Sequence, residues 1–396
     1  MDSSNKNILL ISNGYGEDAI GAQILTKLYN NTNEINSNVL PIVGEGRAYN
    51  SLPVELIGPK KQLPSGGFAA RTSLMNLLKD IKAGLGRLTW YQIKAIRNYS
   101  SKTDLILVVG DVYILLLAGL FTDNRIIFLP TAKSKYINGH YRIEKYIIKK
   151  YANLVFPRDQ KTSKELIKFD INSEFVGNVM MDCIEIKGVD FYLKQNDGII
   201  GLLPGSREEA YTNIIYFLKV IDEIDNMSEK KFEYITAVAG NLGLDNIKQK
   251  IKGTNWKLKR PAARAQKSGI KLIAESPSKS SVRFIYHHFG DVIQQADLFL
   301  GQAGTANEQA VGLGKPVVSF PGTGSQFTEE FARDQKSLLG QSICLTSRDK
   351  KKIAGAVLNI FNNRKLYQEM SREGKKRMGK PGGAKQIAEA INKYFN

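Results

Sequence analysis

Cysteine and histidine are scarce in this chain: Cys183 and Cys344, and His140, His287 and His288, are all that 396 residues contain. The cysteines stand far apart. They give neither a zinc spacing nor a disulfide framework, and point to a reducing compartment, the cytoplasm. Three histidines argue against a His-rich metal site. No D-x-D sequence occurs, so a metal held by paired aspartates is not expected. Long apolar runs are missing too. The most apolar stretch, 105–121, is interrupted by Gly110-Asp111 and is too short for a bilayer span. The amino terminus lacks a basic region followed by a long apolar run and a small-residue cleavage site, so no secretory leader is expected.

Acids are outnumbered, 38 against 56 Lys and Arg, for a net charge of +18. With 42% hydrophobic and 24% charged residues the chain reads as globular rather than disordered. At about 150 residues per domain it holds two or three domains. The positive charge is clustered. Residues 60–97 carry eight basic residues and one acid, Asp80, among many leucines and Trp90 and Tyr91. Lys79, Lys82, Arg87 and Trp90 belong to this basic amphipathic stretch, which can lie on an anionic membrane surface. A solvated helical face packed on its domain explains the pattern equally well. Residues 252–283 carry nine basic residues and one acid, and residues 348–393 thirteen and four. Nucleic acid is the other partner such charge suggests. No helix-turn-helix, RNP-type or zinc-finger motif accompanies it, so no specific nucleic-acid binding is expected.

Apolar, β-branched runs alternate with helical periods, the pattern of parallel sheets with crossover helices. In the first half strands are expected at 7–12, 39–43, 103–109, 125–129 and 153–156, with 174–176 closing it. Helices are expected at 19–29, 112–121, 141–151 and 161–168. In the second, strands are expected at 198–203, 233–238, 270–274, 297–300 and 316–320, and helices at 208–224, 289–295, 305–311 and 347–362. This gives an α/β chain of two doubly wound, Rossmann-like halves: 1–182 with the basic insert 60–97, a connection over 183–197, and 198–365. A basic helical tail, 366–396, could pack back on the first half. A ligand would bind at the carboxyl ends of the strands, in a cleft between the halves.

Five turns carry the chemistry. Gly14-Tyr15-Gly16-Glu17-Asp18-Ala19 loosely fits a dinucleotide fingerprint. Glu17 and Asp18 would satisfy the helix dipole and repel a pyrophosphate, so a hydroxyl- or amino-bearing substrate suits Gly14 and Gly16 better and a nicotinamide enzyme is disfavoured. A plain capped helix is the alternative. Leu203-Pro204-Gly205-Ser206-Arg207 offers close backbone approach, a hydroxyl and a guanidinium fork for phosphate oxygens; an N-capped helix with a surface Arg is the bland reading. Gly304 and Thr305 open a helix whose amides could face an anion, and Glu308 could accept from a ribose diol. Two such turns suggest a diphosphate between two helix N-termini. Residues 321–335 read as a Gly-rich loop whose Gln326, Glu329 and Gln335 could bind sugar hydroxyls, or as a surface loop. Asp111, after a buried strand, is either a general base or a helix cap.

Taken in order, these motifs resemble the lipid-A-disaccharide synthase family, glycosyltransferases of the two-Rossmann GT-B fold. Leu203-Pro204-Gly205-Ser206-Arg207 is similar to the family's L-P-G-S-R turn. Phe175-Val176-Gly177-Asn178-Val179-Met180-Met181-Asp182 resembles its F-V-G-H-P-x-x-D segment, with Asn178 in place of His. Gly304-Thr305 with Glu308 resembles its S-G-T-A-x-x-E helix, and Gly16-Glu17-Asp18 with Gly21-Ala22 a shortened G-E-x-S-G-D-x-x-G-A. Residues 130–136 and 60–97 depart from the family, both on the acceptor side.

The resemblance implies an inverting transferase acting on a UDP-sugar of the hexosamine type and a lipid-linked sugar acceptor. Asp111 falls at the family's proposed catalytic Asp, with Glu17 next to it as the second candidate base. The donor would bind Gly205, Ser206, Arg207, Gly304, Thr305, Glu308, Gln326, Glu329 and Gln335, with no metal and no cofactor. The protein would sit peripherally on the cytoplasmic face of a membrane. A UDP-N-acetylglucosamine 2-epimerase-like enzyme and a noncatalytic basic protein binding nucleic acid or membrane are the alternatives.

Overall fold

The computed structural model describes residues 6–31, 34–59, 85–194, 196–278 and 280–395. The chain forms two compact units, Met1–Cys183 with Lys380–Asn396, and Ile184–Gly379. Lys79 and Lys82 lie outside the described residues.

The first unit runs β1 (Lys6–Ser12), α1 (Tyr15–Tyr29), β2 (Ile35–Pro41), β3 (Val54–Leu56), α2 (Leu85–Ser100), β4 (Leu105–Gly110), α3 (Val112–Phe121), β5 (Arg125–Pro130), α4 (Arg142–Tyr151), β6 (Leu154–Val155) and α5 (Gln160–Ile167). Its sheet is parallel, in the order β3-β2-β1-β4-β5-β6. Every residue of β4, Leu-Ile-Leu-Val-Val-Gly, is buried, as a parallel strand covered on both faces requires. Ile20, Ile24 and Leu28 of α1 cover one face. Ile96, Leu115, Ile148 and Leu166, from α2 to α5, cover the other. Residues 174–176, expected to close the half, form no strand; the preceding Ser173 makes one bridge to Val155.

The second unit runs β7 (Gly198–Leu203), α6 (Glu209–Met227), β8 (Phe232–Val238), α7 (Leu244–Lys252), β9 (Lys257–Lys259), α8 (Ala263–Lys267), β10 (Ile270–Glu275), β11 (Ser281–Tyr286), α9 (Phe289–Gln295), β12 (Leu298–Gly301), α10 (Thr305–Gly312), β13 (Val317–Ser319), α11 (Glu329–Leu339), β14 (Ile343–Leu345), α12 (Lys350–Asn362) and α13 (Arg364–Met378). Its sheet order is β14-β13-β12-β7-β8-β11-β10-β9. Six strands are parallel and repeat the first unit's winding, while β10 and β9 extend the edge antiparallel. The strand expected at 270–274 therefore runs antiparallel to both its neighbours, a departure from the parallel pattern. Lys257 and Lys259 are exposed on the edge strand β9, where lysine discourages further strand addition.

Two connections differ from expectation. Residues 184–197 belong to the second unit. There, one oxygen of buried Asp291 accepts the N–H groups of Lys187, Gly188 and Val189. The 366–396 segment is divided: α13 stays in the second unit, and α14 (Gly383–Phe395) packs in the first. Asp182 receives that return, accepting the N–H groups of Gly382 and Ala384. Gly177, at φ +97°, lets the Lys380 carbonyl pass where a Cβ would lie 2.5 Å from it.

Candidate active site

Of the turns singled out in the sequence, the segment 321–335 follows β13, and the other four leave the carboxyl ends of β1, β4, β7 and β12. In each sheet these are the two central strands between which the winding reverses, the place where doubly wound sheets bind ligands.

In the second unit, Gly205 takes φ +96°, and a Cβ there would come 3.2 Å from the Gln302 carbonyl. Glycine thus lets the two turns lie against each other, and Gln302 N–H donates to the Leu203 carbonyl at 2.9 Å. Ser206 does not cap the helix: α6 begins at Glu209 without a side-chain cap. Arg207 is exposed, and among the described residues its guanidinium has no hydrogen bond or ion pair. The N-terminus of α10, at Gly304 and Thr305, likewise has no side-chain cap. In α6 the Ala210 and Tyr211 N–H groups donate to the Arg207 and Glu208 carbonyls, whereas the N-terminus of α10 meets no capping side chain.

Gln335 is committed to shaping this turn. Its Nε2 donates to the carbonyls of Ala303 and Gly304, each at 3.1 Å, and its Oε1 accepts from Asn307 at 2.8 Å. It is buried and positions the turn instead of offering a group to a sugar. Glu308 is buried in the first turn of α10. Residues 321–335 are not one loop: 329–339 is helical, with Thr328 accepting from Phe331 N–H. Gln326 is exposed, and its N–H donates to Glu209 Oε1. Glu329 is exposed and paired with Arg333 at 3.3 Å.

In the first unit, Asp111 is the cap of α3. Its Oδ1 accepts from Tyr113 N–H at 3.0 Å and Ile114 N–H at 3.2 Å, and Asn13 Nδ2 donates to Oδ2 at 3.2 Å. Gly110 makes room, because a Cβ there would stand 2.6 Å from that of Asn13. Burial raises the Asp111 pKa; the bonds from Ile114, Tyr113 and Asn13 oppose the rise, and Glu17 adds to it. Glu17 Oε1 accepts from Thr131 Oγ1 at 2.9 Å, bringing the β5 turn into the group. Gly14 is an extended residue before α1 and supplies no side-chain cap. A Cβ on Gly16 would meet nothing, so packing does not demand glycine there.

Behind Glu17 lies a buried relay: Tyr49 O–H donates to Ser12 Oγ at 3.0 Å, and Ser12 donates to Asp18 at 2.5 Å. Burial pushes the Asp18 pKa up to about 6, against the Ser12 bond and with help from Glu17. A Cβ on Gly21 would collide with the Tyr49 hydroxyl, which explains the glycine. Of these residues the sequence singled out Asp18 but gave no role to Asn13, Thr131, Ser12 or Tyr49. The small residues Asn13-Gly14 after β1 were the available signal for Asn13; Thr131 and Tyr49 reach the group only through the tertiary fold. Asn178 lines a small cavity with Thr131, Arg158 and Ile387.

Arg87 and Trp90 are exposed on α2, apart from these turns. Among the described residues no three His, Cys, Asp or Glu side chains gather as a metal site, and no helix is long and apolar enough to cross a membrane.

No protein-family model and no curated protein matches the chain. Solved structures do. A UDP-GlcNAc 2-epimerase from Neisseria meningitidis bound to UDP-GlcNAc is 15% identical, with a TM-score of 0.60 over 98% of this chain and 100% of its own. MurG from Acinetobacter baumannii is 12% identical, with a TM-score of 0.59 over 98% and 99%. The calicheamicin glycosyltransferase is 14% identical, with a TM-score of 0.64 over 99% and 98%. At these identities the likeness is one of fold: the chain has the GT-B fold, two Rossmann-like α/β units.

Proposed function

We propose that this GT-B chain is a glycosyltransferase that moves a hexosamine-type sugar from a UDP-sugar to a lipid-linked sugar acceptor, as in lipid-A-disaccharide synthases. The observation that carries the reading is the second unit's switch point, where two uncapped helix N-termini accompany the Arg207 guanidinium, unpaired among the described residues. Such a site suits a diphosphate: the helix amides and Arg207 would hold its oxygens and stabilise the charge that develops as UDP leaves, without a metal. UDP-GlcNAc in the Neisseria structure of the same fold supports this choice of donor class.

The first unit supplies the other half of the chemistry. An acceptor hydroxyl would lose its proton to Asp111 as its oxygen bonds to the anomeric carbon, while the bond from that carbon to the diphosphate breaks. Asp111 Oδ1 is occupied by two amides, so Oδ2, which carries only the Asn13 contact among the described residues, is the oxygen for the proton. A raised pKa suits a carboxylate that must take up a proton. Glu17 is the second candidate. The protein would work peripherally at the cytoplasmic membrane surface. A 2-epimerase reading uses the same donor site and is favoured by the equally similar epimerase structures.

The test is UDP affinity by calorimetry. Arg207→Ala is expected to weaken it by about 1.5–3 kcal/mol, the range for a hydrogen bond to a charged group. Unchanged affinity in the folded variant removes the donor site from this turn. Conversion of UDP-GlcNAc to its 2-epimer without an acceptor would select the epimerase.

A further inference from the structure

Three helices lie side by side on one face of the first unit's sheet: α2, α3 and α4. Gly119 brings α3 against α4, since a Cβ there would fall 2.3 Å from the Tyr151 ring. The Arg97 guanidinium stands 5.1 Å from the centre of the Phe121 ring and joins α2 to α3. The inner stripes, with Ile96, Leu115 and Ile148, are fully buried.

The outer stripes are unusual. A surface helix normally turns charged and polar residues to water. Here α2 presents Arg87, Trp90, Tyr91 and Lys94 at helical spacing. Helix α3 contains no charged residue, and Tyr113, Leu116, Gly119, Leu120 and Phe121 are its less buried positions. Helix α4 presents Ile143 and Tyr146 beside Arg142 and Lys150. Trp90 is 58% exposed, Leu120 54%, Ile143 66% and Tyr146 64%, so water meets large apolar side chains on all three helices.

The charged side chains of these three helices are all basic but one. Neither α2 nor α3 contains an acid, and the single acid of α4, Glu144, is held by Lys133 Nζ at 2.7 Å. Lys149 pairs with Asp170. The cations Arg87 and Lys94 stand over aromatic rings, 5.5 Å from the centre of Tyr91 and 5.7 Å from that of Trp90. Aromatic and aliphatic groups with basic residues beside them match the headgroup boundary of an anionic bilayer, where rings enter the interface and cations meet phosphates.

We propose that the outer face of α2, α3 and α4 docks on an anionic phospholipid surface, with Trp90, Leu120, Ile143 and Tyr146 entering the headgroup boundary and Arg87, Lys94, Arg142 and Lys150 meeting lipid phosphates. Part of this face, on α3 and α4, lies outside the basic stretch that the sequence marked for membranes. The proposal rests on the transferase reading for its purpose, since a lipid-linked acceptor is reached from a membrane surface.

The chain carries its own reporter. Its two tryptophans are Trp90, exposed, and Trp256, buried. Vesicles of equimolar phosphatidylcholine and phosphatidylglycerol are expected to shift Trp90 emission to the blue and to sediment the protein. Both effects should weaken in pure phosphatidylcholine and in high salt. The double variant Ile143→Glu, Tyr146→Glu should partition about tenfold less, because two apolar side chains no longer leave water. Its UDP-induced thermal shift, read in the other unit, should match the parent and so report intact folding. Trp90→Phe should abolish the emission change. Absent sedimentation, equal binding to neutral vesicles, or parental binding by the double variant would each overturn the proposal. So would a concentration-dependent dimer that the double variant fails to form, which would make the face an interface between copies. Vesicle binding without any UDP shift would sink the transferase reading and leave this surface standing.

Discussion

At the carboxyl ends of β1 and β4 the chain places Glu17, Asp18 and Asp111, and Asp111 closes the N-terminus of α3 with its own side chain. At the corresponding ends of β7 and β12 it places Gly205-Ser206-Arg207 and Gly304-Thr305, and neither helix receives a side-chain cap. The strand order around the two places is the same. The difference shows that winding supplies the position of a site and not its sign. In the first unit Asp111 caps α3 while Glu17 and Asp18 stand in the first turn of α1, an arrangement that suits hydroxyl groups and proton transfer. In the second unit Glu209 and Glu308 stand in the first turns of α6 and α10 without capping them, and it is the small residues and the exposed Arg207 guanidinium that suit an anion there.

The largest expected effect breaks the first side. Asp111→Asn should lower turnover by about 10²–10⁴-fold, the range for removing a general base, with UDP-sugar affinity unchanged. Asn is also a favoured cap, so α3 should survive. Single-turnover rates beside calorimetry separate the outcomes: equal loss of both would make Asp111 structural, and retained turnover would move the base to Glu17.

The second side can be converted into the first. Gly304→Asp would cap α10 and put a carboxylate where the anion is expected; its Cβ would meet only the Phe331 ring, at an ordinary 3.5 Å. UDP affinity should fall by roughly 2–3 kcal/mol, the scale of a hydrogen bond to a charged group, while thermal stability holds or rises. Unaltered UDP binding would contradict the contrast between the units.

A smaller effect concerns pH. Asp18, with its pKa raised to about 6, stabilises the first unit at low pH and loses that contribution as pH rises through 6. His140, pushed down to about 4 chiefly by burial, has the opposite sign: its contribution is present above the ordinary 6.5 and lost as pH falls toward 4. The two oppose each other across the same window. Asp18→Asn keeps an acceptor for Ser12 and removes one of them, so urea stability should drop by on the order of 2 kcal/mol between pH 6.5 and 4. A profile parallel to the parent's would mean that Asp18 does not titrate there. The smallest effect lies at the chain's return: Asp182→Ala should cost about 1 kcal/mol, the typical value of a helix cap, and speed hydrogen exchange in α14. Unchanged exchange would place the hold on α14 elsewhere.

Sequence periodicity sufficed for the strands at the centre of each sheet, because a strand buried on both faces must be a continuous apolar run, as in 105–110 and 198–203. It failed at the edges. Lys257–Lys259 and Ile343–Leu345 are short strands whose pairing comes from neighbours, and Glu329–Leu339 was hidden behind glycines and carboxylates. Residue chemistry put Arg207 and Asp111 on turns after buried strands, where the structure has them, since such a turn is local information. It could not show that the Gln335 amide is consumed by carbonyls 31 and 32 residues away in sequence.

The sequence by itself determined the two doubly wound halves, the turns at their switch points and the excess of positive charge, because these depend on period and composition over a few residues. Only the tertiary structure decided that Asp182 captures α14 and that Thr131 and Asn13 join Glu17 and Asp111. It also decided that three helices distant in sequence expose one apolar, basic face. Each of these is a meeting of side chains from separate crossovers, and no local pattern encodes which crossovers become neighbours.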